Sequence, residues 1–156
     1  MNERDQTFLR KAFELARKSR VRGNHPFGAL LVDENDKILC EAENTVVTES
    51  DCTGHAETNL MRQASKQYDR EFLAECSLYT STEPCPMCCG AIYWGNIQRV
   101  VFGLSAERLY EMLGDAPEGS KLFLTSREIL SKGEHLVEIV GPVLEDEARQ
   151  VHEGFW

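Results

Sequence analysis

His55-Ala56-Glu57, followed 27 residues after Glu57 by Pro84-Cys85-Pro86-Met87-Cys88, is the stretch from which the fold and the chemistry of this chain are read. One imidazole and two thiols are soft ligands of the type that hold zinc. A catalytic zinc takes three protein ligands and leaves the fourth position to water, and His with two Cys is one such set. The metal lowers the pKa of that water towards neutrality. Glu57, two residues past the histidine, is left to take the water's proton and deliver it to a nitrogen leaving group. The Cys85/Cys88 pair alone also suits a structural zinc knuckle or a redox dithiol. A closed structural site would need a fourth ligand, with Cys52, Cys76 or Cys89 as the nearby cysteines, and would leave Glu57 without a role.

The flanking residues place both motifs at helix starts. Thr53 is an N-cap type, and a helix from about residue 54 gathers Ala56, Leu60 and Ala64 into one apolar row, with His55 and Glu57 in its first turn. Pro86 suits the first position of a second helix that carries Cys85 and Cys88 and continues through Ala91, Ile92 and Trp94. Helix N-termini are the positive ends of their dipoles and favour thiolate and hydroxide.

Elsewhere, helices and strands alternate. Phe8, Ala12, Leu15 and Ala16 lie on one face of a first helix. Phe27 to Val32 and Lys37 to Ala42 read as strands joined in a hairpin at Asp33-Glu34-Asn35-Asp36. Strands are expected around Cys76 to Ser81, Arg99 to Gly103 and Leu136 to Val140. Further helices are expected at Ala106 to Leu113, after the Thr125/Glu128 capping-box pair, and from Leu144 to Glu153, with a break at Gly114-Asp115-Ala116-Pro117-Glu118-Gly119. This alternation predicts a mixed sheet with helices on both faces, an α/β fold in one domain spanning 1–156.

Composition narrows the partners. Net charge is −9, and residues 134–156 carry six acidic side chains against one basic, Arg149. Polyanion binding asks for the opposite balance, so nucleic acid is disfavoured. Seven of the 17 Lys and Arg fall within the first 22 residues, where they form the solvated side of the first helix. The N-terminus is charged where a signal peptide needs an apolar run, and no stretch approaches a membrane span, which makes the cytoplasm the expected compartment. Of the six cysteines, Cys40, Cys52, Cys76 and Cys89 read as reduced packing residues.

The H-x-E…P-C-x-x-C pattern is an established signature of zinc-dependent base deaminases. On it, the chain resembles the cytidine deaminase superfamily, in the branch of guanine deaminase, fungal-type cytosine deaminase and tRNA adenosine deaminases. The likeness runs from about Pro26 to Gly103 and thins beyond. It implies a three-layer α-β-α sandwich around a five-stranded sheet in the order 2-1-3-4-5. It also implies one zinc on His55, Cys85 and Cys88, Glu57 as proton shuttle, and a homodimer. Asn44 matches the asparagine that hydrogen-bonds the base's ring carbonyl, and its other reading is a turn residue. The backbone N–H groups of Ala56 and Cys85 match electrostatic stabilisers. Phe27 matches the aromatic lining the guanine deaminase pocket, and Trp94 is a candidate substrate contact. Phe155 and Trp156 match C-terminal residues that cover the bound base, and their other reading is an aromatic anchor packed on the sheet or a dimer contact. Guanine or a related aminopurine is the expected substrate. Cytosine or another aminopyrimidine or triazine, then guanosine, and last the tRNA adenosine reading, stand behind it. The acidic pair by which guanine deaminases help read the purine has only Asp115 near its place.

Overall fold

Strand alternation shows why these residues make a sheet covered on both faces. In the computed structural model, which describes residues 2–156, β1 (Gly28–Val32) turns Leu30 and Val32 to one side and Ala29 and Leu31 to the other. All five β1 residues are buried, as a central strand requires. One core joins Leu30, Val32, Tyr79, Val101 and Leu104 to Leu9 and Phe13 of α1 (Glu3–Val21). The other joins Ala29, Leu31, Leu78 and Val100 to Leu60 and Ala64 of α2 (Ala56–Gln67).

The remaining elements are β2 (Ile38–Glu43), α3 (Arg70–Leu73), β3 (Ser77–Thr82), α4 (Pro86–Trp94), β4 (Arg99–Leu104), α5 (Ala106–Leu113), α6 (Ser126–Leu130), β5 (Glu138–Val140) and α7 (Glu145–Gln150). Strand order is β2-β1-β3-β4-β5. β1 runs antiparallel to β2 and β3, whereas β3, β4 and β5 are parallel. The resemblance implied this mixed α-β-α sandwich and strand order. Gly28 lets α1 sit on β1, since a Cβ there would meet Ala16 N and Leu15 Cβ at 2.6 Å.

Three local expectations are corrected. The cap of α2 is His55, not Thr53; Thr53 instead lies in a turn held by Asp51. The last helix ends at Gln150 rather than Glu153, because Arg20 draws away the carbonyls of Val151 and Glu153 (3.0 and 2.7 Å) and Gly154 adopts φ 72°. Cys52 is exposed in the turn before α2 and packs in no core, while Cys40, Cys76 and Cys89 are buried. Among the described residues, no helix is long and apolar enough to cross a membrane.

The end of the sheet remote from the helix starts of α2 and α4 is pinned by charge. Asp5, fully buried at the start of α1, receives two guanidinium bonds from Arg99 (both 2.9 Å) and one from the Tyr79 hydroxyl (2.7 Å). Burial alone would raise the Asp5 carboxyl, but the Arg99 and Tyr79 bonds hold it below its ordinary value. Removing one partner of a buried pair strands the other, so Asp5→Ala should cost about 3–5 kcal/mol in urea denaturation at pH 7. The folded pKa lies below the unfolded one. The contribution is therefore full above about pH 4 and is lost as the pH falls further, so the variant's stability should be flatter across that window than the parent's.

Candidate active site

Both motif helices begin at the carboxyl ends of the parallel strands, where open α/β sheets place their ligand crevices. β3 ends at Thr82, and three residues later Cys85 is the N-cap of α4, with Pro86 at its first position. His55 is the N-cap of α2. Neither residue caps its helix with its side chain. The two side chains turn towards each other instead, and α2 and α4 pack side by side.

The result is a three-ligand cluster. His55 Nδ1 lies 3.5 Å from Sγ of Cys85 and 3.5 Å from Sγ of Cys88, and the three ligand atoms lie within 4.8 Å of one another. Zinc bonds of about 2.3 Å to sulfur and 2.0–2.1 Å to nitrogen, set at the tetrahedral angle, give an N···S edge of roughly 3.6 Å. Donor set and spacing therefore fit one zinc ion with a fourth position open. Cys85 is drawn down to about 4, first by the neighbouring Cys88 thiol and then by His55, whereas its own hydrogen bond with Cys88, and then burial, push Cys88 well up. Cys89, next in sequence, faces away; its thiol donates to the Pro84 carbonyl (3.4 Å) and burial raises its pKa.

Glu57 is buried in the first turn of α2. Burial, and then the Cys85 charge, push its carboxyl up to about 7. It opens onto a cleft of about 810 Å³ shared with His55 and Cys85. His55 is itself held from behind. The Thr58 hydroxyl donates to its carbonyl (3.0 Å), and Asn59 Nδ2 ties the preceding loop through the Glu43 carbonyl and Thr45 Oγ1 (both 2.9 Å).

The other expected residues divide into three groups. Phe27, Phe155 and Trp156 line the cleft. Phe27 lies 6.2 Å from Trp156 and 5.4 Å from His152 between ring centroids, and Phe155 meets Trp156 edge-on at 4.7 Å. Ala56 is buried at the first position of α2, and among the described residues its backbone N–H makes no hydrogen bond. Asn44 is buried beside Phe27, its N–H on the Phe27 carbonyl (3.1 Å) and its Oδ1 accepting from Val46 N–H (3.0 Å). This leaves its amide Nδ2 without a hydrogen bond among the described residues. Trp94 is corrected. It is 75% exposed at the far end of α4, about 9 Å along the helix axis from Cys88 and about 13 Å from Cys85, and borders a groove with Met61 and Arg62 instead.

Several cleft residues escaped the sequence reading. Glu83, next to the ligand motif, accepts from the backbone N–H of Ala106 (3.0 Å) and from the N–H (2.9 Å) and hydroxyl (2.6 Å) of Ser126. One carboxylate thus caps both α5 and α6, and their loop forms the cleft wall that includes Asp115, Leu122 and Leu124. The carboxylate beside Pro84 was its one sequence signal. Arg20 is the second omission. Besides the two carbonyls it binds, its guanidinium covers the Phe155 ring at 5.4 Å. His152 accepts from Trp156 Nε1–H at Nδ1 (2.9 Å), which leaves Nε2–H for the Thr82 hydroxyl (3.4 Å); burial lowers its pKa to about 4 and keeps it neutral. The C-terminal aromatics are therefore fixed from α1 and from β3.

Comparisons with known proteins agree with this geometry. Residues 2–104 match the family described as Cytidine and deoxycytidylate deaminase zinc-binding region. A probable cytosine deaminase of Schizosaccharomyces pombe is 45% identical over 156 residues, covering 100% of this chain and 94% of its own. Guanine deaminase of Bacillus subtilis is 44% identical over 98 residues, 62% of each chain. A solved structure from studies of A-to-I editing by tRNA:A34 deaminases has a TM-score of 0.73 at 25% identity, over 94% of this chain and 99% of that one. With the His55, Cys85 and Cys88 cluster in place, the chain belongs to the cytidine and deoxycytidylate deaminase family.

Proposed function

We propose that the protein hydrolytically deaminates a free nucleobase, with guanine or a related aminopurine as first substrate. The observation that carries this reading is the placement of Glu57: buried, open to the cleft, beside three metal ligands and not one of them. A zinc ion held by His55, Cys85 and Cys88 supplies a Lewis acid that makes water nucleophilic near neutral pH. Glu57 takes the proton from the attacking water and passes protons to the ring nitrogen and to the departing ammonia. The free N–H of Ala56 is available to orient the base, and Phe27, Phe155 and Trp156 wall it from solvent, whereas Asn44 borders a separate groove with Asn24 and Thr48, so its part in binding rests on the resemblance alone.

One observation favours a purine: Asp115 lies in the cleft lining, near the place where the resemblance expects an acidic reader, while the cleft, at about 810 Å³, has room for either ring system. The full-length likeness to a probable cytosine deaminase favours cytosine as the second reading. A tRNA substrate is disfavoured by the −9 net charge and the acidic C-terminal segment.

Glu57→Gln should retain about one zinc per chain by metal analysis while losing roughly 10²–10⁴-fold in turnover, or more. Loss of zinc, or near-normal turnover, would contradict the assigned role. Cys88→Ala should instead lose the metal. Ammonia release measured side by side on guanine, cytosine, isoguanine and guanosine is expected to be fastest on guanine; a clear lead for cytosine would transfer the assignment to the second reading. Trp94, unused by the cleft, is assigned to pairing of two copies. Light scattering should then give about twice the chain mass, and a value near 17.7 kDa would remove the dimer.

A further inference from the structure

His25 is an unpaired imidazole in the wall of the cleft. The segment that carries it, Asn24-His25-Pro26-Phe27, connects α1 to β1 and is held on both sides. Asn24 Oδ1 accepts from the N–H groups of Val47 and Thr48 (3.1 and 3.0 Å). The His25 carbonyl accepts from the Ser19 hydroxyl (2.7 Å) and from Phe27 N–H (2.9 Å), and Pro26 fixes its own φ. The imidazole is half-buried, lines the cleft with His55 and Glu57, and lies 6.0 Å from the Phe155 ring and 5.6 Å from the Trp156 ring. Yet among the described residues neither of its ring nitrogens makes a hydrogen bond. The other two imidazoles at the cleft are engaged: His152 through both nitrogens, His55 with the cysteines.

A polar group held in position, set against aromatic walls and unpaired among the described residues, must be matched by any base that covers it. We infer that His25 is a specificity-determining residue that donates a ring N–H to the oxo group of the substrate. The inference rests on the nucleobase deaminase reading and narrows it to bases in which one ring nitrogen separates the amino-bearing carbon from a carbonyl, the arrangement guanine and cytosine share. Asn44 borders another groove and is not among the cleft residues, so the contact is assigned to His25 alone. The two residues are also neighbours: the Ser19 hydroxyl lies 2.7 Å from the His25 carbonyl oxygen and 3.1 Å from that of Asn44.

The test pairs each base with its analogue lacking the oxo group: guanine with 2-aminopurine, cytosine with 4-aminopyrimidine. His25→Phe keeps the aromatic contacts and removes the donor. Its kcat/KM should fall about 10–100-fold on the oxo base but no more than about threefold on the deoxo partner, with zinc content and melting temperature unchanged. His25→Asn, which restores a donor, should recover part of the loss. Equal losses on both members of a pair, or no loss on either, would overturn the inference. If His25→Phe fails to fold, the same selective pattern is read from His25→Gln against His25→Ala. If the parent protein releases ammonia from none of these bases, the deaminase reading fails separately. His25 is then judged by calorimetric binding of guanine and 2-aminopurine to the zinc-loaded parent and to His25→Ala. A preference for guanine that His25→Ala abolishes supports it; no preference, or one that survives, overturns it.

Discussion

The site depends on two helices, α2 and α4, that start side by side at the same end of the sheet and give their N-cap side chains to each other instead of to themselves. An ordinary N-cap stabilises its helix by about 1 kcal/mol through a side-chain bond to a free N–H. His55 and Cys85 forgo that bond, and their helix starts keep free N–H groups pointing at the place where negative charge must be held. The same geometry gathers the ligands, favours thiolate, and leaves the Ala56 amide without a hydrogen bond among the described residues. The sheet enforces it, because β3 delivers Cys85 only three residues past its last residue and α2 is packed against β1 and β2.

Around this centre the cleft is built from remote parts of the chain by single polar contacts. Glu83 holds the starts of α5 and α6 and so sets the wall formed by the loop between them. Arg20 and His152 hold the C-terminal turn against α1 and β3, which makes the aromatic wall a fixed surface in this structure. Both walls line the same cleft as His55, Glu57 and Cys85, so its outline depends on residues remote from the ligand motifs in sequence.

Local chemistry made the centre legible from sequence: His55, Glu57, Cys85 and Cys88 lie within two short motifs, and capping and proline signals orient both helices. The strand from Phe27 to Val32 and the hairpin at Asp33 were legible for the same reason. Contacts that join distant residues were not. Nothing near Arg20 announces that it binds carbonyls of Val151 and Glu153, and for that reason the last helix was read three residues too long. Trp94 was misplaced because helix membership was read correctly but distance along the axis was not weighed. His25 gave no signal beside Pro26, since its importance lies in the hydrogen bonds it lacks.

The central claim is a three-ligand zinc with an open position, as distinct from a closed structural site. X-ray absorption at the zinc edge of the purified protein tests it directly. Two sulfur neighbours at about 2.3 Å and two nitrogen or oxygen neighbours at about 2.0–2.1 Å are predicted, the second light atom being exchangeable solvent. A third sulfur neighbour would mean that another cysteine closes the site, and the catalytic account would fall.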